Sequence, residues 1–185
     1  GAVQASMIGH GLWTGERFRA VQWFGLALAS AGLLGLLLPG FSAPPLGGAL
    51  SMLAAGIAWA VYSLRGRGAG HPIVVTAGNF LRAAPVGLLL LLLFHANLTL
   101  DAAGIAYAIA SGALASGLGY AVWYTVLPSL PASHAATVQL CVPVLVALGG
   151  VAFLGEAPNL RLVLAAIAIL GGIALVMGSR WSFGK

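Results

Sequence analysis

Eleven of the 185 residues carry a charge, and all but one of these lie at or between the ends of long apolar stretches. The exception, Arg82, sits inside one. A water-soluble domain spreads charge over its surface, about a quarter of all residues. Here the charged share is 6% against 61% hydrophobic residues, so most of the chain must be solvated by lipid.

Six apolar runs are long enough to cross a bilayer as helices: Val21–Leu38, Leu46–Leu64, Pro72–Phe94, Asp101–Leu127, Ser133–Leu154 and Leu160–Gly178. A shorter run, Gly1–Trp13, starts without methionine and reads as the end of a further helix. It lacks a basic n-region, so no cleavable signal peptide is expected there. The runs are continuously apolar, without the in/out alternation of a membrane barrel. Helices satisfy their own backbone in hydrocarbon, and open strands do not. The expected fold class is therefore all-α: a polytopic membrane helical bundle of about six full spans plus a partial first one. Its first partner is the lipid bilayer.

The net charge of +5 does not point to nucleic acid, because the basic residues stand singly or in pairs at helix ends and form no patch. They do orient the chain. Arg17, Arg19, Arg65, Arg67, Arg180 and Lys185 fall on one side of the alternating loops, and Arg161 alone falls on the other. Basic excess marks the cytoplasmic side, which predicts a cytoplasmic C-terminus. The loops Pro39–Pro45, Arg65–His71, His95–Leu100 and Pro128–Ala132 are too short for a soluble domain, so any chemistry lies among the helices.

The chain carries a faint internal echo. Gly15-Glu16 precedes one apolar run and Gly155-Glu156 another, and at the same offset of 140 residues Gly32 aligns with Gly172. Val3-Gln4 aligns with Val138-Gln139 when a gap is allowed. The two Gly-Glu pairs fall on opposite sides of the bilayer, so the second copy is inverted, as in many secondary transporters. Residues 1–40 would be the end of a first repeat, 41–45 a linker, 46–180 a second five-helix repeat and 181–185 a cytoplasmic tail. On this repeat logic about 95 further residues precede Gly1 and the whole protein has about ten helices.

The segment Gly117-Leu-Gly-Tyr-Ala-Val-Trp-Tyr124, followed by Leu127-Pro128, Ala135-Ala136, Pro143-Val144 and Leu154-Gly155-Glu156, resembles the EamA domain of the drug/metabolite transporter superfamily. Gly15-Glu-Arg17, Trp23, Gly25 and Pro39-Gly40 resemble the end of a first EamA copy. The resemblance implies an inverted-repeat carrier in the bacterial inner membrane. Such proteins commonly export amino acids, other metabolites or drugs, so a small-molecule substrate is expected. No cofactor is expected, and a homodimer is left open.

Candidate path residues follow from polarity inside the spans. Thr76, Asn79 and Arg82 recur every three residues and share a helix face. An ionisable group within a span either faces a cavity or snorkels to the interface. Arg82 lies about 9 Å inside if its helix starts near Thr76, so both readings stay open, and a carboxylate-bearing solute would suit it. Gln139 and Pro143 lie one turn apart, with Pro143 a hinge candidate that removes the helical donor for the Gln139 carbonyl. The alternative for Gln139 is an interhelical hydrogen bond used as glue. Trp59 and Tyr120 lie deep enough to stack on an organic solute, whereas Tyr124, near a helix end, fits an interfacial aromatic belt better. His134 is the candidate proton carrier, though its place at a helix start suits an interfacial residue or cap better.

Other classes are weaker. Leu114-Ala-Ser-Gly117 is similar to the serine motif of rhomboid proteases, but the glycine pattern expected after His134 is missing, so no catalytic residue is assigned. No cluster of zinc ligands and no P-loop is present, so no metal is expected. A fragment serving as a structural membrane module is the remaining alternative.

Overall fold

A computed structural model describes residues 1–38, 45–95 and 101–178. The linker 41–45, apart from Pro45, and the tail 181–185 lie outside the described residues, as do Arg180 and Lys185. Among the described residues all regular structure is helical. The helices are α1 (Ala2–Trp13), α2 (Ala20–Leu37), α3 (Leu46–Gly66), α4 (Pro72–Leu93), α5 (Ala102–Ser129), α6 (Ala132–Leu154) and α7 (Leu160–Gly178). The last six are each long and apolar enough to cross a membrane. They match the six apolar runs to within about two residues at each end, as expected when the apolar length itself defines the element.

Polar residues at the boundaries start and stop these helices. Asp101 Oδ1 accepts the Gly104 amide at 2.5 Å and caps α5. Asn159 Oδ1 accepts the Leu162 amide at 2.8 Å and opens α7. α6 ends at Gly155 in the left-handed region, φ 67°, and α1 is followed by Gly15 at φ 96°. Arg161, the one basic residue of its loop set, donates from Nε to the Gly35 carbonyl at 2.7 Å and from Nη2 to the Leu36 carbonyl. It thereby closes the open carbonyls at the end of α2, where a cation also meets the negative end of the helix dipole.

Two long helices are interrupted. Within α5 the residues Ala110–Leu118 wind as a π-helix, and Leu127–Ser129 tighten into a 3₁₀ turn. Within α6 the residues Gln139–Cys141 form a 3₁₀ turn between two α-helical stretches. Pro143 explains the second break. It has no N–H for the Gln139 carbonyl, and the Val142 amide takes that carbonyl one residue early. The carbonyl anticipated as open is therefore already accepting.

The chain divides into two compact units, Gly1–Val61 with Leu130–Lys185, and Tyr62–Ser129. The first is organised by α2 crossing α7. The buried positions of α2 are Gln22, Gly25, Ala29 and Gly32. Those of α7 include Leu162, Ala165, Ile169 and Gly172, each the residue 140 positions later. The contacts obey the same relation. A Cβ on Gly25 would lie 2.6 Å from the Gly172 carbonyl oxygen, and one on Gly32 would lie 3.1 Å from the Ala165 carbonyl oxygen. Exchanging each residue for its counterpart turns the first pair into the second, so the antiparallel crossing has an approximate dyad near Ala29 and Ile169. Leu140 and Val144 of α6 complete the buried cluster around that point. α1 packs against the start of α6, where Ala132 through Thr137 are all buried. In the second unit α4 packs against the latter part of α5.

Bulk at the crossing has nowhere to go, whereas Gly35, three residues on, faces open space. Gly32→Leu should lower the unfolding free energy of the detergent-solubilised full-length protein by about 1–3 kcal/mol through overpacking. Gly35→Leu should leave it within about 0.5 kcal/mol. Thermal unfolding of the two variants side by side checks this.

Candidate functional site

In the first unit the polar side chains form two sets. Trp59 of α3 donates its indole N–H to Gln139 Oε1 at 2.7 Å. Gln139 Nε2 donates to the Ala135 carbonyl at 3.2 Å and lies 3.5 Å from Met7 Sδ of α1. The amide orientation is thus determined by its partners: oxygen to the indole, nitrogen to the carbonyl. Trp59, Gln139 and the proline-linked break above Pro143 were singled out separately in the sequence, and the fold brings them together at one place in α6.

The second set surrounds His134. Its Nε2 lies 3.1 Å from Gln22 Nε2. Gln22 Oε1 accepts the Arg19 amide at 2.9 Å, so its NH₂ group faces the imidazole. An amide nitrogen only donates, so this contact is a hydrogen bond in the tautomer whose Nε2 is unprotonated. Gln22 Nε2 also reaches the Val176 carbonyl at 3.4 Å. His134, at the start of α6, is only 4% exposed. The reason lies one residue upstream. Glu16 Oε1 accepts the Ala132 amide at 2.7 Å and Oε2 accepts the Ser133 amide at 3.0 Å, drawing the first turn of α6 against the end of α1. Each such charge-assisted bond is worth about 1.5–3 kcal/mol, and the carboxylate also suits the positive end of the α6 dipole.

The second unit holds a cluster of aromatic rings. Tyr62 makes edge contacts with Tyr120, centroids 5.9 Å apart, and with Tyr124 at 5.4 Å. Phe80 meets Tyr120 edge-on at 5.7 Å. Asn79 Nδ2 donates to the Tyr62 hydroxyl at 3.0 Å, and the Tyr124 hydroxyl donates to the Tyr62 carbonyl at 3.2 Å. Tyr124 is buried, unlike a belt residue, because its ring packs over the glycine at position 66. Ser63 Oγ, Thr76 Oγ1 and Trp123 Nε1 are buried without a hydrogen-bond partner, each within four residues of this cluster in sequence. Polar atoms in that state hold hydrogen-bonding capacity available to water or a solute. Arg82 is exposed, and its Nη1 turns back to within 3.2 Å of the Cβ position of Gly78, one turn nearer the start of α4. An open apolar groove of about 710 Å³ along α4, lined by Ala77, Phe80, Leu81, Ala83 and Ala84, offers a solute no polar group.

Among the described residues no group of three or more metal-ligating side chains occurs. Gln22 and the clamping role of Glu16 carried no mark in the sequence beyond their polarity at a span boundary. The usable signal was Gln22 three residues after Arg19, the spacing of a helix-start box.

The Trp59–Gln139 bond should appear as a coupling of about 0.5–3 kcal/mol in a double-mutant cycle of Trp59→Phe and Gln139→Leu. Chemical unfolding of the four proteins measures it, and strictly additive losses would mean the two side chains act independently.

Residues 46–178 match the EamA-like transporter family. The chain is 59% identical over 180 residues to an uncharacterized protein of Pseudomonas aeruginosa, covering 97% of this chain and 63% of that protein. It therefore spans under two thirds of that relative's length. A solved crystal structure shares the fold at a TM-score of 0.81 and 24% identity, covering 98% of this chain and 66% of the other. With the family matched over most of its length and six helices able to cross a bilayer, the chain belongs to the EamA-like transporter family and is part of a multi-pass membrane protein.

Proposed function

We propose that the full protein exports a small metabolite, amino acid or drug across the bacterial inner membrane, by alternating access between two inverted five-helix repeats. The observation that carries this reading is the dyad-related crossing of α2 and α7 in a chain of a transporter family. Such a dyad is what two inverted copies meeting at their last helices produce. In this reading residues 1–40 close the first repeat, 46–180 form the second, and the C-terminus is cytoplasmic.

The interruption of α6 supports a path beside that helix. Broken spans near the midplane are where transporters of this architecture bind their cargo. α6 breaks at Gln139, with Trp59 on its amide and Pro143 as the hinge. Gln139 and Trp59 would then exchange their mutual bond for bonds to the solute. Within the second unit, Tyr120 and Asn79 are the candidate contacts for a solute, an aromatic face and an amide. Arg82, turned toward the start of α4, would attract a carboxylate-bearing solute at the cytoplasmic entrance. His134, hydrogen-bonded to Gln22 through Nε2, would give up that bond if it took a proton there, which would couple protonation to the α2–α6 contact.

The test is flux from proteoliposomes carrying the full-length protein and loaded with a mixed pool of amino acids and metabolites. Selective movement of one solute class is expected, with Gln139→Ala and Trp59→Ala each lowering it about tenfold, the equivalent of one lost hydrogen bond to the cargo. Arg82→Ala should weaken flux of acidic solutes more than neutral ones. Folded protein that moves none of the pool would refute the reading. For His134, loss of proton dependence in His134→Ala is the expected result, and unchanged dependence would remove it from the mechanism.

A further inference from the structure

Ser63, Thr76 and Trp123 stand on three different helices, yet they fall in one layer of the second unit. On α4, Phe80 meets Tyr120 of α5 edge-on. Consecutive spans cross the bilayer in opposite directions, so one turn back along α4 corresponds to one turn onward along α5. Thr76 is thereby level with Tyr124, whose neighbour is Trp123. On α3, Tyr62 touches both Tyr120 and Tyr124, and Ser63 follows it. Thr76 is 4% exposed and Ser63 fully buried. Neither hydroxyl has a hydrogen-bond partner, nor has the buried indole nitrogen of Trp123. A buried donor in that state is costly. The cost is firmest for the indole, which only donates, whereas a hydroxyl can turn toward a carbonyl of its own helix.

Phe80 has a second role. It also lines the open apolar groove along α4, so the groove and the aromatic cluster share one wall. The groove's volume, about 710 Å³, suits a drug-sized molecule. Arg82 is not part of its lining. At about 100° per residue, position 82 falls on the opposite side of α4 from Ala77, Phe80 and Ala84. Its guanidinium turns to Gly78 instead. The groove and the layer beside it thus combine apolar surface with spare hydrogen-bond donors, and none of the side chains that form them is charged.

We infer that the second unit binds an uncharged, lipophilic molecule that carries a hydrogen-bond-accepting carbonyl. Its apolar body lies in the groove along α4, and its carbonyl accepts from the Trp123 indole and the Thr76 hydroxyl. Phe80, exposed on the groove side, is the ring that turns aside to admit it. A carbonyl oxygen has two lone pairs and can take both donors. A carboxylate would lose its hydration there with no cation to meet it. A hydrocarbon would leave the indole unpaired, and a site with a buried donor discriminates against a ligand that lacks the matching acceptor. As a cargo site this rests on the carrier reading above; as a binding site it stands without it.

The test is photolabelling of the full-length protein in nanodiscs with benzophenone, a neutral lipophilic ketone that attaches to nearby C–H groups under light. Mass spectrometry of the labelled peptides reads where it binds, whether or not anything is transported. Label is expected within residues 76–84 of α4 and around Tyr120 of α5. Acetonaphthone, which keeps the ketone, should compete about tenfold more strongly than naphthalene, which lacks it. Trp123→Phe should bring the two competitors to within about twofold, and Thr76→Val, of the same shape without the hydroxyl, should do so in part. The valine variant also covers the case in which the phenylalanine variant does not fold. Equal competition by acetonaphthone and naphthalene on the unaltered protein would overturn the inference, as would unchanged selectivity in both variants. Strongest competition by naphthoate would overturn it too, by assigning the polar contact to Arg82. Absence of ketone flux in proteoliposomes, with the labelling pattern intact, would count against transport and leave the binding site standing.

Discussion

The close approach of α2 and α7 is the contact on which the first unit depends. In lipid there is no hydrophobic gain from bringing two apolar helices together, so association relies on van der Waals packing and on a few polar ties. Gly25, Ala29 and Gly32 of α2 and Ala165 and Gly172 of α7 supply the first by letting backbones meet. Arg161, anchored on the Gly35 and Leu36 carbonyls, supplies the second at one end. At the other end Gln22 bonds both the Val176 carbonyl and His134. The crossing is thus pinned at both ends by polar side chains, Arg161 exposed at one and Gln22 buried at the other, while its centre is purely steric.

The spans were legible because continuous apolar length is a strong signal and charge is confined to the ends. In the sequence the repeat shows as two Gly-Glu pairs, one aligned glycine and a gapped Val-Gln match, a faint pattern at low identity. What made it visible in three dimensions was the burial pattern: all four buried positions of α2 map onto buried positions of α7 at one offset. The π-helical stretch Ala110–Leu118 had no such signal, since its alanines, glycines and serines fit an α-helix as readily. Gln139 and Trp59 were singled out for polarity and depth, but their mutual bond joins residues 80 apart and follows from no local pattern. His134 shows the same limit. Its burial depends on Glu16 drawing in the first turn of α6 and on Gln22, 112 residues away.

Polar groups within the spans divide into those whose partners the fold supplies and those left with capacity. Gln139, Trp59, Gln22, Asn79 and Tyr124 each hold a defined partner. Ser63, Thr76 and Trp123 do not. For hydroxyls the distinction is soft, because Ser and Thr can turn toward a carbonyl of their own helix. For the Trp123 indole it is sharper: Nε1 only donates, and it is buried without a hydrogen-bond partner. If a solute is recognised in the second unit, the indole is the group with most to gain from it.

The paired state of Trp59 and Gln139 bears directly on how a carrier of this kind would work. A solute bound there must replace a bond that is already made, so the net gain is a difference between two hydrogen bonds, on the order of 1 kcal/mol or less. Such a site binds weakly and releases readily. That suits transport, in which an overly stable complex would stall the cycle on one side. The 3₁₀ turn at Gln139–Cys141 adds a geometric counterpart. Because Val142, and not residue 143, serves the Gln139 carbonyl, the helix on either side of the turn can change its angle with little disturbance to the remaining backbone ladder. Bending α6 at that turn would swing the stretch from Val142 onward while Glu16 and the Ala135 carbonyl still hold the segment that carries Gln139.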